Sequence, residues 1–63
     1  MTLQQLEFAL NSGEIWENEL PAIIEKNGFS QGEEDMEIAR DYSRNEKLYF
    51  CEIHECYITT NIE

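Results

Sequence analysis

Residues 47–58, reading Lys-Leu-Tyr-Phe-Cys-Glu-Ile-His-Glu-Cys-Tyr-Ile, constrain the fold more than any other stretch. They hold two of the three tyrosines, one of the three phenylalanines, both cysteines and the only histidine. Aromatic and β-branched residues crowd the segment and neither Gly nor Pro interrupts it, so it reads as extended chain. The backbone donors and acceptors of such a segment require partners. The rest of the chain must therefore cover it, let it fold back on itself, or leave its edge to another chain. Tyr49, Cys51 and Ile53 point one way and Leu48 and Phe50 the other; beyond His54-Glu55, Tyr57 and Thr59 share one side, with Cys56 and Ile58 opposite. One continuous strand and a hairpin turning at His54-Glu55 both satisfy this pattern. Neither turn residue favours positive φ, so the reading leans to extended structure with a bulge or turn near His54.

Ahead of this segment the spacing predicts helices. Thr2 and Gln5 have capping-box spacing, and Leu3, Leu6 and Leu10 follow at helical intervals with Phe8 and Ala9 alongside. Asn11-Ser12-Gly13 ends that helix, with Gly13 as its left-handed cap. The connector that follows carries Trp16, the only Trp, which reads first as an anchor into a small core and second as an exposed contact for a partner. A second helix starts with Asn18 as N-cap and Pro21 in its first turn, turns Leu20, Ile23 and Ile24 to one face, and ends at Asn27-Gly28-Phe29, where Phe29 falls back on Ile24. Ser30, with Glu33 three residues later, predicts a third helix. Glu33, Glu34 and Asp35 would sit in its first turn, where the dipole favours acids, and Arg40 and Arg44 toward its other end. Met36, Ala39, Ile38 and Tyr42 would supply a thin apolar face. The expected fold class is α+β: two to three short N-terminal helices packed on a small C-terminal antiparallel β element, either a hairpin or a sheet completed by a second copy. One domain covers residues 1–63, with no internal repeat or linker.

A chain of 63 residues buries only about 60% of the surface its unfolded form exposes, so its stability is marginal. Fourteen acidic residues against four basic ones give a net charge of −10. Such a surface repels nucleic-acid phosphates, whose binding needs Lys and Arg, and it repels anionic membranes. Direct binding to nucleic acid or to a membrane is therefore not expected, and a basic protein surface is the natural complement. With no leader-like segment and no run long enough to span a bilayer, the expected location is cytoplasmic.

Cys51, His54 and Cys56 form a C-x-x-H-x-C cluster. A structural zinc site needs four ligands, no further Cys or His exists, and in a continuous strand Cys51 points away from the other two, so no metal is expected. A Cys51–Cys56 disulfide is not expected either. The two face opposite sides of one strand, and in a hairpin turning at His54-Glu55, Cys56 would pair with Ile53 and leave Cys51 on a diagonal. Free, buried thiols are the expectation. No catalytic residues and no cofactor are expected: the chain scarcely encloses a pocket, and no glycine-rich phosphate loop or EF-hand spacing is present.

The carboxylates remain. On the expected third helix Glu33, Glu37 and Asp41 fall every four residues and would line one stripe, beside Glu34 and Asp35. Glu14, Glu17 and Glu19 gather near the start of the second helix; Glu52, Glu55 and Glu63 add acid to the sheet end. A row of fixed carboxylates can stand in for a line of phosphates before a groove lined with Lys and Arg. In general character (very short, strongly acidic, compact) the chain is similar to the small inhibitors that phages and mobile elements direct at host nucleases, among them anti-restriction and anti-CRISPR DNA mimics. This resemblance of type transfers no residue. It implies a non-enzymatic inhibitor that binds a nucleic-acid-handling defence enzyme, with Trp16 and these acids at the contact. The alternative is a small regulatory, assembly or antitoxin-like subunit. That protein would pair as a homodimer, or with another protein, along a strand edge bearing Tyr49, Cys51, Ile53 and Tyr57.

Overall fold

The computed structural model of the chain describes residues 1–62; Glu63, expected to add acid to the sheet end, lies outside them. The elements run α1 (Leu3–Ser12), a 3-10 turn (Glu17–Glu19), α2 (Leu20–Lys26), β1 (Ser30–Gln31), β2 (Glu37–Asp41), β3 (Glu46–Cys51) and β4 (Cys56–Asn61). The strands form one antiparallel sheet in the order β1-β2-β3-β4, so the fold is α+β with its helices first and its sheet last.

Both helices end as their glycines dictate. At the start of α1 the Gln5 N–H donates to Thr2 Oγ1 (3.1 Å) and the Thr2 N–H to Gln5 Oε1 (2.8 Å), a complete capping box. Gly13 adopts a left-handed φ of 83°, which lets the Glu14 N–H reach back to the Ala9 carbonyl (2.9 Å). Gly28 does the same after α2 with a φ of 73°, and the Phe29 N–H bonds to the Ile24 carbonyl (3.0 Å). The start of α2 differs from expectation: Asn18 lies inside the 3-10 turn, and α2 follows from Leu20 with Pro21 in its first turn, where a missing N–H is harmless.

The third helix does not form. Residues 30–44 instead make β1, a tight loop, β2 and a turn. Turn chemistry decides this against the helical spacing. A Cβ on Gly32 would collide with the Glu37 carbonyl, so the chain closes the β1–β2 connection only with glycine there. Met36 takes a positive φ of 64° at the far side of the same loop. Asp41, expected on a helical acid stripe, ends β2 and accepts at Oδ1 from the Ser43 N–H (3.1 Å) and hydroxyl (2.6 Å), the Asx arrangement that starts a turn. Asn45, a residue tolerant of left-handed backbone, closes that turn with a φ of 56°.

The segment from Lys47 onward folds back rather than running straight. β3 pairs with β4 from Glu46↔Asn61 to Cys51↔Cys56, around a loop of residues 52–55 in which Glu55 carries a positive φ of 53°. The expected Cys56–Ile53 pairing is thus replaced by a direct Cys51–Cys56 rung. The longer loop absorbs the reversal that a two-residue His54-Glu55 turn was ill suited to make.

Residues opposite one another in the ladder share a face. Ala39, Leu48, Phe50, Tyr57 and Thr59 therefore face the helices, while Arg40, Lys47, Tyr49, Cys51, Cys56 and Ile58 face away. A bulge between Glu37 and Ala39 lets Ile38 pack against the core as well. That core is Leu3, Leu6, Leu10, Leu20, Ala39 and Leu48, edged by Ile15, Ile23, Ile24, Phe29 and Tyr57. Leu3, Leu6 and Leu48 are wholly enclosed. In so small a core each of them matters: Leu48→Ala should lower unfolding stability by about 3 kcal/mol, seen as a reduced urea midpoint with an unchanged slope.

Candidate functional site

The sheet's open edge is closed by side chains from α1. Alternate backbone groups of an edge strand face outward. On β4, Asn11 takes both groups of Tyr57: the Tyr57 N–H donates to Asn11 Oδ1 (2.8 Å) and Asn11 Nδ2 donates to the Tyr57 carbonyl (3.0 Å). Two residues on, the Thr59 N–H donates to Glu7 Oε1 (2.6 Å) and the Thr59 hydroxyl to the Leu3 carbonyl (3.3 Å). Leu3, Glu7 and Asn11 stand four apart and so form one stripe of α1 along β4.

This arrangement holds Tyr57 at the centre of a site. Its ring meets Phe50 edge-to-face at 5.2 Å, and its hydroxyl donates to Glu17 Oε1 (2.7 Å). Burial first, then the hydrogen bond and charge of Glu17, push the Tyr57 pKa up to about 12. Next to it Leu10, Ile15, Trp16, Glu17 and Tyr57 line an open bay of about 610 Å³. A second hollow runs on from Glu17 and Tyr57 to Leu20, Met36, Ile38 and Phe50. The bay is largely apolar, with Glu17 and Asn18 among its lining residues.

Trp16 is 74% exposed, so it is not the core anchor its size first suggests. It is nonetheless rigidly mounted. Its N–H donates to Glu19 Oε2 (2.9 Å) and its carbonyl accepts from the Glu19 N–H (2.9 Å), which locks the backbone of the turn beneath it. Glu17 lines the bay with Trp16 and Glu19 holds its backbone, whereas Glu14 lines a separate hollow with Met1, Phe8 and Ala9; all three acids are exposed. A turn whose backbone is already fixed loses little backbone entropy when the residue it carries is bound.

The other acidic group is organised differently. Glu37 is nearly enclosed, with its side chain 3% exposed, and receives a two-pronged contact from Arg40: Nε to Oε1, and Nη2 to Oε2 at 3.1 Å. Glu33 and Glu34, both well exposed, approach the same guanidinium at 3.6 and 3.7 Å. The Arg40 hydrogen bond, opposed by burial and aided by the Arg40 charge, holds the Glu37 carboxyl below the usual carboxylate range. Arg40 itself is pushed further toward the charged form by Glu37. The expected stripe of Glu33, Glu37 and Asp41 is therefore absent: Glu37 serves an ion pair, Asp41 is enclosed in a turn, and only Glu33, Glu34 and Asp35 remain open to solvent.

Of the four residues expected at a strand edge, Tyr49 and Cys51 lie on β3, between β2 and β4, and Ile53 sits 88% exposed in the β3–β4 loop. Tyr57 alone is on an edge strand, with its backbone already taken by Asn11. Sequence spacing did not disclose Asn11, Phe50 or Met36 as neighbours of Tyr57. The β3–β4 register brings Phe50 to Tyr57, and the four-residue turn after Cys51 is the signal that sets it. Among the described residues no group of three or more His, Cys, Asp and Glu side chains is placed to hold a metal, and no helix is long and apolar enough to cross a membrane. No family model, no curated protein and no solved structure matches the chain.

Two outcomes follow from these charge environments. The neutral Tyr57 phenol is favoured in the fold, so its contribution is complete below the unfolded value of 10.0 and is lost as pH rises toward about 12. Urea unfolding across that alkaline window should show a fall that Tyr57→Phe lacks, with tyrosinate absorbance marking the delayed ionisation. Glu37 has the opposite sign: its contribution is present above the ordinary carboxylate pKa and is lost as pH falls through its lowered value. Arg40→Met should lower the urea midpoint at neutral pH by stranding Glu37, and adding Glu37→Gln should recover part of that loss.

Proposed function

We propose that the chain is a non-enzymatic, acidic protein-binding module of the cytoplasm that docks on a basic, nucleic-acid-binding surface of another protein. The observation that carries this reading is Trp16, exposed on a turn whose backbone Glu19 holds, beside a largely apolar bay that Glu17 also lines. Tryptophan anchors dominate binding energy where they enter a pocket, and a rim of carboxylates selects a basic partner and speeds encounter. Among the described residues nine acids are exposed: Glu14, Glu17, Glu19, Glu25, Glu33, Glu34, Asp35, Glu52 and Glu55. They face only four basic residues, one of which, Arg40, is committed to Glu33, Glu34 and Glu37.

The concrete form of the proposal is an inhibitor of the phage or mobile-element kind. Its carboxylates occupy the phosphate path of a defence nuclease of the restriction or CRISPR type, and Trp16 fills an apolar recess beside that path. The mimicry then belongs to exposed loops around Trp16 and Glu33–Asp35 rather than to a helical stripe. The alternative of a regulatory, antitoxin-like or self-pairing subunit built on the C-terminal strand has a specific obstacle. Pairing along β4 first has to displace Asn11 and Glu7 from Tyr57 and Thr59.

Immobilised protein should capture a nucleic-acid-handling enzyme from host extract at low salt, release it at high salt, and lose it to added duplex DNA. Trp16→Ala should weaken that capture by about tenfold or more. Reversing Glu14, Glu34 and Asp35, exposed acids that hold neither the Trp16 turn nor Tyr57, to Lys should weaken it at least as much, while far-ultraviolet dichroism shows the fold unchanged. A partner held equally by wild type and both variants, and indifferent to salt and DNA, would sink this function.

A further inference from the structure

The rung that closes the β3–β4 hairpin is a pair of cysteines. Cys51 lies directly opposite Cys56, on the sheet face turned away from the helices, and both are half-buried free thiols. The Phe50 N–H bonds to the Met36 carbonyl (2.9 Å) on the β2 side. Backbone groups alternate sides along a strand, so those of Cys51 turn toward β4 and the rung is a hydrogen-bonded one. The Ile62 N–H bond to the Asn45 carbonyl (2.9 Å) keeps the same alternation at the far end of the hairpin. A rung of this kind sets its Cα atoms about 5.5 Å apart, inside the roughly 4.4–6.8 Å that disulfides span. Cys51 and Cys56 thus share a face and a rung, and the Cβ atoms of so wide a rung, about 5.5 Å apart, have to draw in by roughly 1 Å to bond, which leaves the bridge strained and readily reduced.

We propose that Cys51 and Cys56 form a reversible thiol–disulfide redox site, acting on small-molecule disulfides such as glutathione disulfide. One thiolate of the pair attacks a sulfur of the oxidant, forming a mixed disulfide and expelling one glutathione thiolate. The second thiolate then attacks the protein sulfur of that mixed disulfide, forming the Cys51–Cys56 bond and expelling the second glutathione thiolate. The two protons of the cysteines end on the two glutathiones, and the protein pair gives up two electrons to the oxidant. The hairpin holds the resolving thiol opposite the attacking one, so only a small closure of the rung completes the bond. Because the helices leave this face uncovered, reduced glutathione can reach the bridge and reverse the step. The inference does not depend on the Trp16 bay.

Equilibrating the folded chain with glutathione couples of graded ratio, then alkylating and weighing the intact protein, tests it. The expected product is a monomer lighter by two hydrogens with no alkylated thiol. Its formation constant should exceed that in concentrated urea by about threefold or more, the same factor by which the bridge would raise the folding constant. Cys56→Ser should stop at the mixed disulfide on Cys51. The proposal is overturned if both thiols stay alkylatable across the range, or if only interchain disulfides form. A native constant equal to or below that in urea overturns it as well, because the fold would then not present the pair.

Discussion

A strand at the end of a sheet leaves alternate N–H and C=O groups facing outward, and much of this structure follows from how β4 meets that demand. It does so with side chains. Asn11 and Glu7 on α1 supply the acceptors and the donor that a fifth strand would otherwise offer. Those bonds hold α1 beside the edge strand while Leu3, Leu6 and Leu10 of the same helix enter the core above Leu48. One helix thus closes the edge and covers one face. For so short a chain this double use matters, because a core of six buried apolar residues has little stability to spare.

Tyr57 is where edge, core and surface join. Asn11 takes its backbone, Phe50 packs its ring, and Glu17 accepts its hydroxyl. Glu17 belongs to the 3-10 turn that begins just after Trp16, so the exposed tryptophan is mounted on the same framework that seals the sheet. Under the proposed function, the exposed charge would draw a basic partner near and the tryptophan would discriminate among such partners.

The acids divide by role, and only coordinates reveal the division. Asp41 starts a turn and Glu37 neutralises Arg40, while Glu14, Glu19, Glu33 and Glu34 stay in solvent. Equal letters at equal spacing therefore do unlike things. The helical reading of residues 30–44 failed on this point. Ser30 and Glu33 have capping spacing, but Gly32, Asp41 and Asn45 sit where two reversals need them. Turn chemistry acts at single positions and outweighs a weak helical periodicity that has no strong apolar face to bury.

What the sequence determined by itself was local. The capping box at Thr2, the left-handed glycines 13 and 28, the leucine face of α1 and the extended character after Lys47 all follow from interactions within a few residues, and all are present. The net charge was also legible, because it is a sum. The tertiary structure decided whatever depends on register and on distant neighbours. Cys51 faces Cys56 because the hairpin takes four residues to turn. Trp16 stays in water while the leucines of both helices, with Ala39 and Leu48, form the core without it. Such outcomes are set by competition for one small interior and by pairing across long stretches of chain, and no local spacing encodes the winner of that competition.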